Sequence, residues 1–214
     1  MQQILIYADS LTWGIIPNTR RRLSFEDRWP GVFEKKLNER GRPVRVLEDC
    51  LNGRRTVLED PYKSGRNGLS GLAQKVEAQS PLALVILMLG TNDFQFCHPH
   101  NNAWSAGQGI AVLVNEIRRA PIEPGMPVPP VLVVSPPPIL HPQGAMIEKF
   151  RGAETRCGNL ADAYRQVSAE LGCDFFDAGS VTPSSRVDGI HLDQDQHLLL
   201  GQALAEFAAP ILSR

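Results

Sequence analysis

The sequence predicts an α/β fold, a parallel sheet covered by helices on both faces. Three observations predict it. Strand-like and helix-like patterns alternate from end to end of the chain. Two of the strand-like runs, 82–89 (LALVILML) and 131–134 (VLVV), are apolar at every position, as strands buried on both faces must be. No internal repeat, low-complexity tract or linker divides the 214 residues. The chain therefore reads as one domain over 1–214, with five strands in the flavodoxin-like order 2-1-3-4-5.

The elements follow in order. Residues 3–8 form the first strand. Residues 29–40 are helical, with Trp29, Val32, Phe33 and Leu37 on one face and Gly41 as the stop. Val44-Arg45-Val46 is the second strand, and 69–79 a helix. The run 82–89 is the third strand. Residues 105–119 place Ala106, Ile110, Leu113, Val114 and Ile117 on one helical face. The run 131–134 is the fourth strand. The Pro-rich stretches 121–130 and 136–138 on either side of it are loops. Residues 153–171 form a helix with Leu160, Tyr164, Val167 and Leu171 on one face. Residues 173–176 are the fifth strand, and 194–212 a closing amphipathic helix.

Composition narrows the function classes. There are 22 basic and 23 acidic residues, a formal charge of −1. That gives no field for nucleic acid or an anionic membrane. Arg20-Arg21-Arg22 reads as a solvated loop. The four cysteines, Cys50, Cys97, Cys157 and Cys173, form no CxxC pair and no metal-finger spacing. No basic segment followed by a long apolar one opens the chain, and the longest apolar run is far short of the ~20 residues a bilayer span needs. The expected setting is the reducing cytoplasm.

In open α/β sheets, ligands gather beyond the carboxyl ends of the strands. The polar clusters sit there. Asp9-Ser10 follows the first strand, Cys50-Leu51-Asn52-Gly53-Arg54 the second, Gly90-Thr91-Asn92-Asp93 the third, and Asp188-Gly189-Ile190-His191-Leu192 the fifth. Acyl transfer needs such a set. A serine hydroxyl is a poor nucleophile until a base takes its proton, and histidine oriented by a carboxylate is such a base. Asp188 and His191 are three residues apart, close enough for one loop to join them. The Ser10 N–H, the Gly53 N–H and the Asn92 amide are the donors available to an oxyanion. Taken alone, Asp9 and Ser10 would equally suit the cap of a short helix. Asp9 and Asp93 read as loop-holding groups.

Cys97-His98-Pro99-His100 suggests a metal, but no second ligand cluster accompanies it, so no metal is expected and the segment reads as a polar lid with His100 at the pocket mouth. Trp13 is the first candidate for the pocket wall, with Phe94 and Ile190 as further lining. Phe94, Phe96 and Trp104 suit either an acyl or alcohol site or a subunit contact. There is no G-x-S-x-G elbow and no G-x-x-x-x-G-K loop. Gly107 and Gly109 lie inside a helix pattern rather than after a strand.

YADSLTWG, the Asn52-Gly53 turn, GTND and DGIHL resemble, in order, the four blocks of the SGNH (GDSL-type) hydrolase family. WGIIP, DRWPGV, MLGTND, VLVVSPPP and FFDAGS are similar to its arylesterase and acyltransferase branch. The match covers nearly the whole chain. The resemblance implies a three-layer α/β/α fold, no cofactor, and hydrolysis of small-acyl (acetyl) esters. It implies Ser10 as nucleophile, His191 as base, Asp188 as its orienting partner, and Ser10, Gly53 and Asn92 around the oxyanion. It also implies a homo-oligomer, a tetramer or octamer, with acyl transfer to alcohols beside hydrolysis. Carbohydrate acetates are the alternative ester. The departure is Ala8, where the family has Gly before Asp-Ser. If that position needs positive φ, the site is strained, and a catalytically silent binding module is the remaining reading. The long connector 135–152 is expected at the channel or at a subunit contact.

Overall fold

A computed structural model describes residues 1–214. Five strands form one parallel sheet in the order β2-β1-β3-β4-β5, as predicted. They are β1 (Gln2–Ala8), β2 (Val44–Cys50), β3 (Leu84–Met88), β4 (Val131–Ser135) and β5 (Asp174–Asp177). The helices are α1 (Ser10–Trp13), α2 (Trp29–Glu39), α3 (Leu72–Gln79), α4 (Ala103–Arg118), α5 (Ala153–Arg156), α6 (Leu160–Leu171) and α7 (Gln194–Ile211). Helices α2 and α7 pack on each other, and α4 packs on both α3 and α6. The residues of β1, β3 and β4 that face these layers are almost all buried, in one continuous apolar core. No helix is long and apolar enough to cross a membrane.

Several elements differ from expectation, β3 among them, which covers Leu84–Met88 rather than 82–89. Strand β2 runs on to Cys50 through Glu48 and Asp49. Its charges escape an apolar pattern because β2 is an edge strand, and both acids have cationic partners: Glu48 pairs with Arg22 and Arg28, Asp49 with Arg54 and Lys75. The helix expected at 153–171 is two helices. Gly158 and Asn159 break it, with Asn159 in the left-handed region at φ 64, a conformation asparagine tolerates better than most residues. Helix α3 starts at Leu72 rather than 69.

Register decides where the loops emerge. Ala8 at the end of β1 is level with Cys50 of β2 on one side and Met88 of β3 on the other. The chain turns to opposite sides from β1, so the β1/β3 boundary is the switch point at which such sheets open a crevice.

Two packing features are testable. His197 of α7 is fully buried, and its Nδ1 accepts the Trp29 N–H at 3.3 Å. Burial, then the charges of Arg28 and His191, push its pKa down to about 3. The unfolded chain takes this proton first as pH falls through ~6.5, so the stability that neutral His197 contributes is complete above that pH. It drains away toward pH 3, by up to about tenfold in the folding equilibrium per pH unit. His197→Asn lacks this component, so the gap between the two proteins' urea midpoints should narrow as pH falls from 7 to 4; parallel midpoints would refute it.

The second feature concerns the two helix glycines. A Cβ on Gly109 would lie 2.3 Å from Thr56 Oγ1, whereas one on Gly107 meets nothing closer than 3.5 Å. Gly109→Ala should therefore destabilise by roughly 1–3 kcal/mol from overpacking. Gly107→Ala should be neutral or gain up to ~1 kcal/mol of helix propensity. Denaturant titration of the pair checks the contrast.

Candidate active site

The site assembles from four strand ends. Asp9 is the N-cap of α1, and its Oδ1 accepts the Leu11 N–H at 2.9 Å. Ser10 is the first residue of that helix. Its Oγ lies 3.2 Å from His191 Nε2, and His191 Nδ1 lies 2.6 Å from Asp188 Oδ2. Hydroxyl, imidazole and carboxylate thus stand in one hydrogen-bonded line, the arrangement that proton transfer from a serine requires. Ser10 and His191 are 5% and 6% exposed. The other oxygen of Asp188 accepts the N–H groups of Ile190 and His191, both at 2.9 Å. Burial pushes the Asp188 carboxyl up, but His191 and these two N–H groups outweigh it and hold the carboxyl below its ordinary value.

The loop of Asp188 and His191 is braced from outside. Leu140 N–H donates to Gly189 O, Gln143 N–H to Asp188 O, and Ser185 N–H to His191 O. A Cβ on Gly189 would come 2.6 Å from the His141 carbonyl oxygen, so only glycine permits this approach. The connector 135–152 therefore lies against the loop that carries the acid and the imidazole.

Ala8 is not among the residues with positive φ, which apart from glycines are Asn18 and Asn159. Alanine is unstrained there, so backbone strain at this position does not silence the site.

Gly53 sits third in the turn Leu51–Arg54, which the Arg54 N–H closes on Leu51 O at 2.9 Å. Its φ is +84, the sign a type II turn demands at that position. Its N–H donates to no other group of the chain. The Ser10 N–H heads α1, among the donors a helix leaves without an internal partner. Asn92 lies in the 3₁₀ turn Thr91–Phe94 after β3. Its Nδ2 donates to Asp9 Oδ2 at 2.9 Å and to Arg54 O at 3.2 Å, and its Oδ1 accepts from Gln95 Nε2 at 2.6 Å. Both amide hydrogens are therefore engaged, and an oxyanion would have to share the longer one with Arg54 O.

Two neighbouring carboxyls are buried. Burial raises Asp9 to about 6, against the Leu11 N–H, His191, Asn92 and Arg54. Burial raises Asp93 to about 6, against its bonds from the Thr56 hydroxyl and N–H. Both hold loops, as their sequence positions suggested.

Other expectations need correction. Phe94 is fully buried and Ile190 is 1% exposed; both are core residues with no surface to offer a pocket. Trp13 is half-buried, with the Arg22 guanidinium 4.7 Å from its ring centre. Arg22 also donates to Trp13 O and pairs with Glu48, so the arginine run is not wholly a solvated loop. Phe96 is partly exposed under Arg151, and Trp104 is 70% exposed. No three His, Cys, Asp or Glu side chains gather as a metal cluster. A cavity of about 410 Å³ lies at the β2 edge, lined by Asp49, Cys50, Arg54 and Lys75 among others, and by neither Ser10 nor His191.

Sequence reasoning placed Arg54 in the polar cluster after the second strand without a role, and passed over Arg55 and Gln95. Arg54 Nη1 donates to Ala8 O, and its guanidinium stacks 3.9 Å from the Tyr7 ring centre. Arg55 is fully buried and donates to Asn92 O and Gln95 Oε1. The only local signal was their place beside Gly53 and Asn92.

The GDSL-like lipase/acylhydrolase family model matches residues 9–199. No curated protein matches the chain. Among solved structures, a carbohydrate acetylesterase family member from Sinorhizobium meliloti is 36% identical over 100% of both chains, with a TM-score of 0.93. The inhibitor-bound aryl esterase of M. smegmatis is 34% identical over 99% of this chain and 100% of its own, also at 0.93. A putative arylesterase from Agrobacterium tumefaciens is 37% identical over 99% and 100%, at 0.88. The chain belongs to the GDSL-like lipase/acylhydrolase family, and it is a carboxylic ester hydrolase.

Proposed function

We propose that the protein, acting as one domain over 1–214, hydrolyses small-acyl esters, acetates above all, through an acyl-enzyme on Ser10. The observation that carries this reading is the unbroken line from Ser10 Oγ through His191 to Asp188. His191 takes the Ser10 proton as Oγ attacks the ester carbonyl. Asp188 holds the ring with its Nε2 toward the hydroxyl and stabilises the imidazolium. The Ser10 and Gly53 N–H groups and the Asn92 amide stabilise the tetrahedral oxyanion. His191 then protonates the leaving alkoxide. Water, activated by the same imidazole, releases the acid. An alcohol in the place of water gives acyl transfer.

A carbohydrate acetate is the second reading. It is favoured by the likeness to a carbohydrate acetylesterase, which is as strong as that to the aryl esterases. The ratio of kcat/KM on acetylated xylose to that on phenyl acetate separates the two. A tetramer or octamer belongs to the same proposal, supported by the exposed Tyr62 and Trp104, as does a cytoplasmic setting, supported by the four free cysteines.

Ser10→Ala and His191→Ala should each lower kcat on 4-nitrophenyl acetate by at least about 10²–10⁴. Asn92→Ala should lower it by roughly 10²–10³. Turnover equal to wild type in Ser10→Ala would sink the acyl-enzyme; a loss under tenfold in Asn92→Ala would remove that residue from the oxyanion site.

A further inference from the structure

A side-chain amide has a direction, and at this site the direction matters. With Nδ2 inward, Asn92 presents donors; turned over, it presents an acceptor to the Asp9 carboxylate, to Arg54 O and to any oxyanion. Three such acceptors facing one another repel. The amide's two ends have nearly the same shape, so packing alone does not choose between them.

The hydrogen bonds do choose. Arg55 is fully buried and carries only donors. Its Nη2 lies 2.7 Å from Gln95, so the atom facing it must be Gln95 Oε1. The other end of Gln95 is then Nε2, a donor, and it lies 2.6 Å from Asn92. The atom it meets must be Asn92 Oδ1. That leaves Nδ2 toward Asp9 Oδ2 and Arg54 O, both acceptors. Arg55 Nε also holds the Asn92 carbonyl at 3.2 Å, fixing the backbone of the same residue. Asp60 Oδ2 lies 2.9 Å from Arg55 Nη1, an ion pair without the alignment of a hydrogen bond. Gln95 and Asn92 are 4% and 2% exposed, so water does not compete for these groups.

We propose that Gln95, anchored by Arg55, is a positioning residue that locks the polarity of the Asn92 amide so that Nδ2 faces the Ser10 turn. The proposal rests on the Ser10 reading for its effect on rate, though not for its geometry. Gln95→Glu keeps an acceptor for Arg55 but sets a second acceptor against Asn92 Oδ1, forcing the amide over or away. Gln95→Met keeps the volume and removes both bonds.

The experiment is a double-mutant cycle with Asn92→Ala, read as kcat and KM on 4-nitrophenyl acetate, with Ser10→Ala as the control. Gln95→Glu should lower kcat about tenfold or more with KM little changed, approaching the Asn92→Ala loss. Gln95→Met should lose less. In the Asn92→Ala background either change at 95 should cost less than about twofold, because the amide it orients is gone. In parallel, the Asn92 side-chain NH₂ signal in ¹H–¹⁵N spectra, assigned by its loss in Asn92→Ala, should move in Gln95→Met. Losses that multiply in the double variant would overturn the proposal, as would wild-type kcat in both Gln95 variants or an unmoved NH₂ signal. Should Gln95→Glu not fold, Gln95→Met carries both readouts. Full turnover in Ser10→Ala would defeat the Ser10 reading alone, and the NH₂ signal would still decide the polarity.

Discussion

Asp9 carries one buried carboxylate across the switch point of the sheet. One oxygen takes the Leu11 N–H and starts α1; the other takes the Asn92 amide from the loop after β3. The geometry of the site depends on this bridge. The cap sets where α1 begins, and so where Ser10 Oγ stands relative to His191. The second bond sets how far the Asn92 loop lies from that serine. A neutral side chain could cap the helix, but a carboxylate offers two acceptor oxygens in a fixed plane, and the two loops need two.

The bridge is held at a cost. Burial raises both Asp9 and Asp93 to about 6, so near neutrality each carries its charge with little solvation. Each survives because donors surround it. Asp93 gathers the N–H and hydroxyl of Thr56, and Thr56 is pinned in turn by α4 at Gly109. The two cations nearby are spent differently. Arg55 lies wholly inside and aims at the Asn92 loop, while Arg54 grips the β1 and β2 ends and stacks on Tyr7. Removing one member of such a network leaves a buried group unpaired, which costs more than the lost bond itself.

Much of this was legible in the sequence, and the illegible part follows a rule. Strands β1, β3 and β4 announce themselves because a strand buried on both faces has to be apolar throughout. The residues Ser10, Gly53, Asn92, Asp188 and His191 fall at strand ends because a parallel sheet delivers its loops to one edge. What was missed depends on partners remote in sequence. The acids at the end of β2 broke the apolar pattern because their cations lie on other elements. Phe94 and Ile190 suggested a pocket because they flank catalytic-looking polar residues, yet both turn into the core. Gln95 and Arg55 are 40 residues apart, and neither position hints that its side chain orders the other.

The Ala8 carbonyl shows why the residue before Asp9 tolerates a methyl group. Its oxygen accepts both the Leu51 N–H and Arg54 Nη1, each at 3.0 Å. One peptide of β1 therefore holds the Leu51–Arg54 turn at both ends and fixes Gly53 between them. The demand falls on the carbonyl, not on φ of Ala8, and alanine meets it as well as glycine does. In the same turn, Gly53 must take positive φ to bring its N–H round without a partner in the chain. The conformational burden has thus been placed on the second strand's loop. The first strand remains regular up to the residue before Asp9, and a regular strand is the stiffer support for a short helix that begins with a serine.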